Sequence, residues 1–97
     1  MMRISVNSEF ERLGFQTGIN YLVYTKDLSR STMLVVEGAQ VNGYSEYLYT
    51  FYKCYFEKNK RYARHMKVYM MNEPAFNVIK KVENYLSYLH WLSSNNK

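Results

Sequence analysis

A dense run of aromatic residues, from Tyr44 to Phe56, limits what this chain can fold into. It holds seven aromatic rings in thirteen residues. Large apolar residues recur at intervals of three and four, which is the spacing of one buried helical face, and Glu46 and Glu57 fall on the opposite face. Ser45 follows the breaker pair Asn42-Gly43 and is a suitable N-cap. The spacing therefore predicts a helix that is capped at Ser45. The apolar positions with helical spacing, which begin just before the cap, are Tyr44, Tyr47, Leu48, Phe51, Tyr52 and Tyr55.

A basic segment, defined here as residues 53–67, overlaps the end of the aromatic run. It contains six of the thirteen lysines and arginines, opposed by Glu57 alone. If the predicted helix continues through it, four basic side chains share one face, where they can follow phosphates while tyrosine rings stack on bases. The alternative is a solvated face or loop tip. The candidate residues for nucleic acid or an acidic partner are Lys53, Lys58, Lys60, Arg61, Tyr62, Arg64, His65 and Lys67.

Shorter patterns predict the elements of the first forty residues. Alternation predicts a strand at residues 4–6, and Ser8 to Glu11 has the capping-box spacing of a short helical turn. Gly14 is placed to end that turn in a left-handed conformation. Residues 19–25 and 32–37 are rich in β-branched or aromatic side chains, and a polar stretch separates them. They predict an antiparallel hairpin with a loop.

The C-terminal third predicts a strand followed by a long helix. Met66, Val68 and Met70 alternate with polar or smaller neighbours, which favours a strand over a continued helix. Asn72-Glu73-Pro74 predicts a helix start with an asparagine cap. The helix carries a continuous apolar stripe: Ala75, Val78, Ile79, Val82, Tyr85, Leu86, Leu89 and Leu92.

Together these elements predict a single α+β domain over residues 1–97. Its antiparallel sheet of three or four strands packs one face against two main helices. The order strand, helical turn, strand, strand, helix, strand, helix resembles the ferredoxin-like βαββαβ order with an added C-terminal helix. RNA-recognition domains share that order, but the third predicted strand lacks their stacking ring.

Length, charge and cysteine content restrict the setting of the domain. A chain of 97 residues with 11 Tyr, 5 Phe and 1 Trp cannot bury every ring, so we expect exposed aromatics and a homodimer that covers them. The net charge of +5 favours acidic partners. One cysteine excludes a disulfide within the chain. No signal-peptide core or membrane-length apolar run is present, so we expect a cytoplasmic protein without a membrane partner.

Catalytic patterns are missing from the sequence. Two-metal nucleases need clustered carboxylates, and the single aspartate, Asp27, lies in a predicted loop. One acid–base pairing stays open, His65 with Glu37 or Glu57. Cys54, inside the aromatic run, is expected to be a buried and inert thiol. The four glycines are isolated and form no phosphate-binding loop. We therefore expect no enzymatic activity, no cofactor and no metal.

A second candidate surface lies on the predicted last helix. Tyr88 and Trp91 are three residues apart and fall off its apolar stripe, as anchors for a protein partner would, unless the N-terminal elements cover them. The Asn-, Lys- and Tyr-rich composition is typical of an AT-rich coding source and resembles small phage or mobile-element accessory proteins. The sequence thus favours a non-enzymatic accessory or inhibitor that binds a host protein or nucleoprotein. The alternative is a nucleic-acid-binding module that uses residues 53–67.

Overall fold

The computed structural model describes residues 5–56 and 63–95, which form one antiparallel sheet and two helices. Consecutive strands are neighbours in the sheet, in the order β1-β2-β3-β4-β5, and every neighbouring pair is antiparallel. The prediction of an α+β domain with an antiparallel sheet is confirmed. In chain order the elements are α1 (Val6–Arg12), β1 (Gln16–Ile19), β2 (Val23–Asp27), β3 (Thr32–Ala39), β4 (Leu48–Phe56), β5 (Ala63–Pro74) and α2 (Ala75–Asn95).

The aromatic run forms β4, so the helix predicted from Ser45 is wrong. β4 pairs with β3 on one side and β5 on the other, and it carries buried side chains on both of its faces. Leu48 and Cys54 are buried on one face, and Tyr49 and Phe51 on the other. A strand covered on both faces carries apolar residues at consecutive positions, which removes the alternation that distinguishes a strand from a helix. The aromatic content itself favours strands.

The ferredoxin-like order is also wrong, because the sheet is a five-stranded meander and the described residues contain no helix between its strands. In the predicted first strand, residue 4 lies outside the described residues and Val6 begins α1. The hydroxyl of Ser5 caps that helix by accepting from the Ser8 amide at 3.3 Å. The predicted strand over residues 19–25 is divided between β1 and β2 by a turn, which raises the number of strands to five.

Gly14 ends α1 in the left-handed conformation that the sequence predicts, with φ 92°. Its amide donates to the Glu11 carbonyl at 3.0 Å, and the Phe15 amide donates to the Phe10 carbonyl at 2.9 Å. These two bonds form a Schellman motif, in which the residues that flank the turn make an apolar contact. Phe10 and Phe15 make that contact with ring centroids 5.8 Å apart. The turn therefore directs the chain into β1 and places both rings in the core.

Both helices pack on the same face of the sheet, which we call the helix face. On α1, the ring of Phe10 lies 4.6 Å from that of Tyr24 in β2. On α2, the ring of Tyr85 lies 5.9 Å from that of Phe51 in β4. The predicted apolar stripe of α2 forms its buried side, with Val78, Ile79 and Val82 in the core.

Polar contacts connect the two helices and shape the start of α2. Arg12 bonds Glu9 within α1 at 3.1 Å and Glu83 of α2 at 3.0 Å. Asn72 does not cap α2 as predicted, since it lies in β5 with φ 52°. The Glu73 carboxylate, just before α2 begins at Ala75, accepts from the side-chain amide of Asn77 at 3.1 Å. The predicted strand over residues 65–70 is confirmed inside the longer β5.

The opposite face, which we call the open face, is covered by neither α1 nor α2. Its centre contains Val35, Tyr52 and Cys54, and its β5 edge contains Met66 and Val68. Tyr52 donates a hydrogen bond to the Glu37 carboxylate across this face. Burial is the main reason that the pKa of the Tyr52 hydroxyl is raised, and this hydrogen bond raises it further. Neither helix in the described part of the chain has the length and apolarity to cross a bilayer.

The first prediction concerns the core at Phe10. Phe10→Ala removes a ring that is fully buried, and we expect a loss of about 3 to 5 kcal/mol in the free energy of unfolding. Phe76→Ala is the matched control, because that ring is 63% exposed, and the same substitution should change stability by about 0.5 kcal/mol or less. Urea denaturation followed by circular dichroism measures both. Equal losses in the two variants would contradict the described core.

Candidate functional site

The described basic residues of the segment lie on two paired strands instead of on a helix. Lys53 belongs to β4, and Lys67 belongs to β5 as its direct cross-strand partner. The backbone of Arg64 also belongs to β5. The remaining four candidates of the segment, Lys58, Lys60, Arg61 and Tyr62, lie outside the described residues. The helical arrangement of this segment is therefore wrong for Lys53 and Lys67, whereas strand pairing places them side by side.

A third lysine joins this pair through the register of the sheet. Lys26 pairs with Leu34, Leu34 pairs with Lys53, and Lys53 pairs with Lys67. Partners in adjacent antiparallel strands point to the same face, so these three lysines form one row on the helix face. We call Lys26, Lys53 and Lys67 the basic row. Sequence reasoning missed Lys26, because only the strand register connects it to the other two.

Aromatic side chains accompany the basic row. Tyr55 and His65 are partners near the same end of the sheet, with ring centroids 5.5 Å apart. The Lys53 ammonium lies 5.1 Å from the centroid of the Tyr55 ring. The Lys67 ammonium lies 5.6 Å from the centroid of the Tyr69 ring. Cations and π-systems thus alternate on one surface, which is the pairing that single-stranded nucleic acids require.

Two contacts fix how the lysines of the row are held. The Lys53 ammonium donates to the Tyr85 hydroxyl of α2 at 3.4 Å. Burial lowers the pKa of Lys53, but the bonds to Tyr85 and Tyr55 outweigh it, so that the pKa lies above its usual value and the side chain stays charged. The Lys26 ammonium lies against Gly14, where a β-carbon would be only 2.3 Å away. That position follows the carboxyl end of α1, whose partial negative charge attracts a cation.

The Tyr88–Trp91 pair follows Tyr85, the hydrogen-bond partner of Lys53, along α2. Both side chains lie on α2 and are exposed, Tyr88 by 55% and Trp91 by 57%. Their rings stack with centroids 6.3 Å apart and planes 17° apart. No N-terminal element described in the structure covers them. The pair presents a flat apolar surface of the kind that fills a partner's pocket.

Of the two acid–base pairings left open for His65, the structure separates the one with Glu37. His65 is opposite Tyr55 on the helix face, whereas Glu37 is opposite Thr50 on the open face. Five residues of β4 separate those two rows, about 17 Å along a strand. Glu57, the other possible partner of His65, lies outside the described residues. Among the described residues, no group of three or more potential metal-ligating side chains is present.

Cys54 is buried in the open face, as expected. Burial raises the pKa of the Cys54 thiol, and the nearby Glu37 carboxylate raises it further. The protonated thiol is a poor nucleophile. Burial and the raised pKa therefore both disfavour nucleophilic chemistry at Cys54.

Comparison with known proteins shows a family relationship. It is 45% identical over 85 residues to the "Uncharacterized protein YddA" of Bacillus subtilis (strain 168), an alignment that covers 88% of this chain and 82% of YddA. The chain belongs to the same family as YddA. No family model and no solved structure matches it. The name of YddA states no activity.

The second prediction concerns the reactivity of Cys54. We expect the native thiol to react with Ellman's reagent much more slowly than the thiol of the urea-unfolded chain at the same pH. Raising the pH should speed the native reaction only above the usual thiol range, because the native pKa is raised. The absorbance of the released thiolate gives both rates. Equal native and unfolded rates at neutral pH would show that Cys54 is accessible and activated.

Proposed function

We propose that the protein is a non-enzymatic binding protein that holds DNA or RNA at the end of its sheet that carries the basic row. One observation carries the proposal, namely that Lys26, Lys53 and Lys67 share a cross-strand row. Tyr55 and His65 flank the row and add rings. The sequence ranks a protein partner first. The geometry favours nucleic acid, because it combines cations with stacking surfaces on one face.

The energetics of the row support an anionic ligand. Like charges that face each other directly across two strands destabilise a sheet, by about 0.2 to 1 kcal/mol. Lys53 and Lys67 are such a pair. A phosphate placed between them replaces repulsion with two attractive contacts and releases counterions. Each base that stacks on a neighbouring ring adds about 1 to 3 kcal/mol.

The third prediction tests this surface by salt titration. Fluorescence anisotropy of labelled single-stranded DNA and RNA, at about 50 to 200 mM salt, should show binding that weakens steeply as salt rises. Lys53→Gln/Lys67→Gln should weaken it and reduce the log–log salt slope by about 1.5, since two phosphate contacts are lost.

The matched control for this titration lies on α2. Lys80→Gln/Lys81→Gln changes the net charge equally, from +5 to +3 in either variant, because two of the positive charges are removed. It should keep most of the affinity. The proposal fails if the wild-type protein binds neither polymer at low salt. It also fails if both double variants lose the same affinity, because the effect then reflects overall charge.

A protein partner is the second candidate function, and the stacked Tyr88–Trp91 pair favours it. Two exposed rings on one helix offer a large rigid contact area, and such residues dominate binding energies when they enter a pocket. In this form the protein is an accessory or inhibitor, of the phage or mobile-element type, that occupies a host protein or nucleoprotein.

We also propose that the protein is a homodimer that covers its open face. Met66 is 52% exposed and Val68 is 44% exposed on that face, beside buried Val35 and Cys54. The five strands contain 38 residues in all. At a rise of about 3.4 Å per residue and a strand spacing of about 4.8 Å, packing of two such faces buries roughly 600 Å² per protomer. The total is close to the lower limit of stable interfaces, about 1,200 Å².

The fourth prediction tests the dimer. Light scattering at tens of micromolar, about the range of weak dimers, should give twice the 11.7 kDa mass of one chain. Met66→Glu/Val68→Glu places charges on the open face and should give the single-chain mass. Tyr88→Glu, on α2, is the control and should leave the dimer intact. A wild-type mass of 11.7 kDa alone, under the same conditions, would exclude the dimer.

A further inference from the structure

A cavity of about 510 Å³ opens at the end of the sheet opposite the basic row. We call it the tyrosine pocket. Its volume is in the range of small-ligand sites. Neither proposed function uses it. Its principal lining residues are Tyr21, Tyr47, Tyr49, Glu46, Gln40 and Ser45.

Tyr21 occupies an unusual backbone position at this pocket. It is the third residue of a four-residue turn closed by the Leu22 amide, which donates to the Ile19 carbonyl at 2.9 Å. Its φ is 67°, in the left-handed region that glycine or asparagine usually fills. A tyrosine is strained there. Strain of this kind persists only where surrounding contacts hold it, and it is frequent at functional sites.

Three hydrogen bonds hold the Tyr21 backbone. Its amide donates to the Asn7 side-chain carbonyl and to the Tyr24 hydroxyl, each at 3.1 Å. Its carbonyl accepts from the Tyr49 hydroxyl at 2.8 Å. Gly38 leaves room for that last bond, because a β-carbon there would lie 2.6 Å from the Tyr49 ring and 2.8 Å from the Tyr21 carbonyl oxygen. The backbone of Tyr21 is therefore fixed, while its side chain stays exposed at the pocket.

Electrostatics distinguish this end of the sheet from the basic end. Residues 19–23, 37–50 and 70–77 build it, and they contain three glutamates and no lysine or arginine. Glu46 lines the pocket itself. Glu73 directly precedes the last residue of β5, next to Ala75 in the pocket wall.

The helix ends at the pocket act in the opposite direction and are weaker. α1 begins at Val6 and α2 begins at Ala75, and both residues lie in the wall. An α-helix amino end carries about half of a positive elementary charge. Two such ends amount to about one positive charge. Glu46 and Glu73 together carry two formal negative charges, which exceed the partial charges of the helix ends and favour a cation.

We propose that the tyrosine pocket binds an organic cation, an alkylammonium or guanidinium group. Three tyrosines and one glutamate line the cavity. Aromatic rings attract cations through their quadrupole, and groups of rings with an acidic residue are suited to ammonium ligands. The cation belongs either to a small molecule or to a lysine or arginine side chain of a partner.

The fifth prediction is tested by NMR titration of the full chain with tyrosine-selective labelling. Choline is the small-molecule probe, and a short arginine-containing peptide is the side-chain probe. We expect shifts at Tyr21 and Tyr47 with at least one of these cations. The tighter of the two identifies the source of the group. The neutral isostere of choline, 3,3-dimethylbutan-1-ol, should cause none of these shifts, because it has the same shape without the charge.

Matched variants separate binding from folding. Tyr47→Leu should weaken the cation by about 3- to 30-fold, the value of one aromatic ring in a cation site. Tyr44→Leu removes an exposed ring outside the pocket and should leave the affinity unchanged. Tyr21→Asn keeps a residue that tolerates the left-handed backbone. It should therefore preserve thermal stability and lower the affinity.

Several results would overturn the proposal. Equal binding of the neutral isostere would show that charge is not recognised. Shifts at the pocket with inorganic phosphate, and none with either cation, would show that the helix ends dominate. Equal losses in Tyr47→Leu and Tyr44→Leu would place the cation elsewhere. The Tyr47 and Tyr44 comparison decides the matter even if Tyr21→Asn proves unstable.

Discussion

The burial of β4 on both of its faces is the constraint on which the rest of the structure depends. β4 pairs with β3 over eight residues, Thr32 to Ala39, and with β5 on its other edge. On the helix face, Phe51 lies 5.1 Å from the Tyr69 ring and 5.9 Å from the Tyr85 ring. The two helices must cover this side, since it contains the largest buried rings. The other side is left with side chains of the sheet as its only described cover.

The same constraint explains which elements the sequence predicts correctly. α2 is covered on one side only, so its stripe from Val78 to Val82 keeps the helical period. β2 and β3 are identified by their β-branched residues and the polar loop between them. β4 follows no period, because both faces are buried, and its apolar positions coincide with a helical spacing. The hydrophobic pattern identifies an element when only one of its faces is buried. It fails to distinguish a strand from a helix when side chains on both faces are buried.

The candidate surfaces depend even more on tertiary structure. The sequence shows that residues 53–67 are rich in positive charge. It cannot place Lys26 in the same row as Lys53, because the two are related only through the pairing of each with Leu34 of β3. The tyrosine pocket depends on a bond between residues 28 positions apart, Tyr49 and Tyr21. The only local signal is a tyrosine at a turn position that favours glycine, and such a position is visible only when φ is known.

The net charge of +5 is unevenly distributed, because the two ends of the sheet carry charges of opposite sign. The cross-strand row at Lys53 contains lysines. The row at Tyr49 lies four residues away along β4, at the end of the sheet that contains three glutamates. Four residues of strand extend about 13 Å. The Debye length at physiological salt is about 8 Å, so each end presents its own potential to a ligand. Under the two proposals, an anionic polymer would bind at the basic row and an organic cation at the tyrosine pocket. Because the two sites would attract ligands of opposite charge at separate ends of the sheet, we expect that occupancy of one would not prevent occupancy of the other.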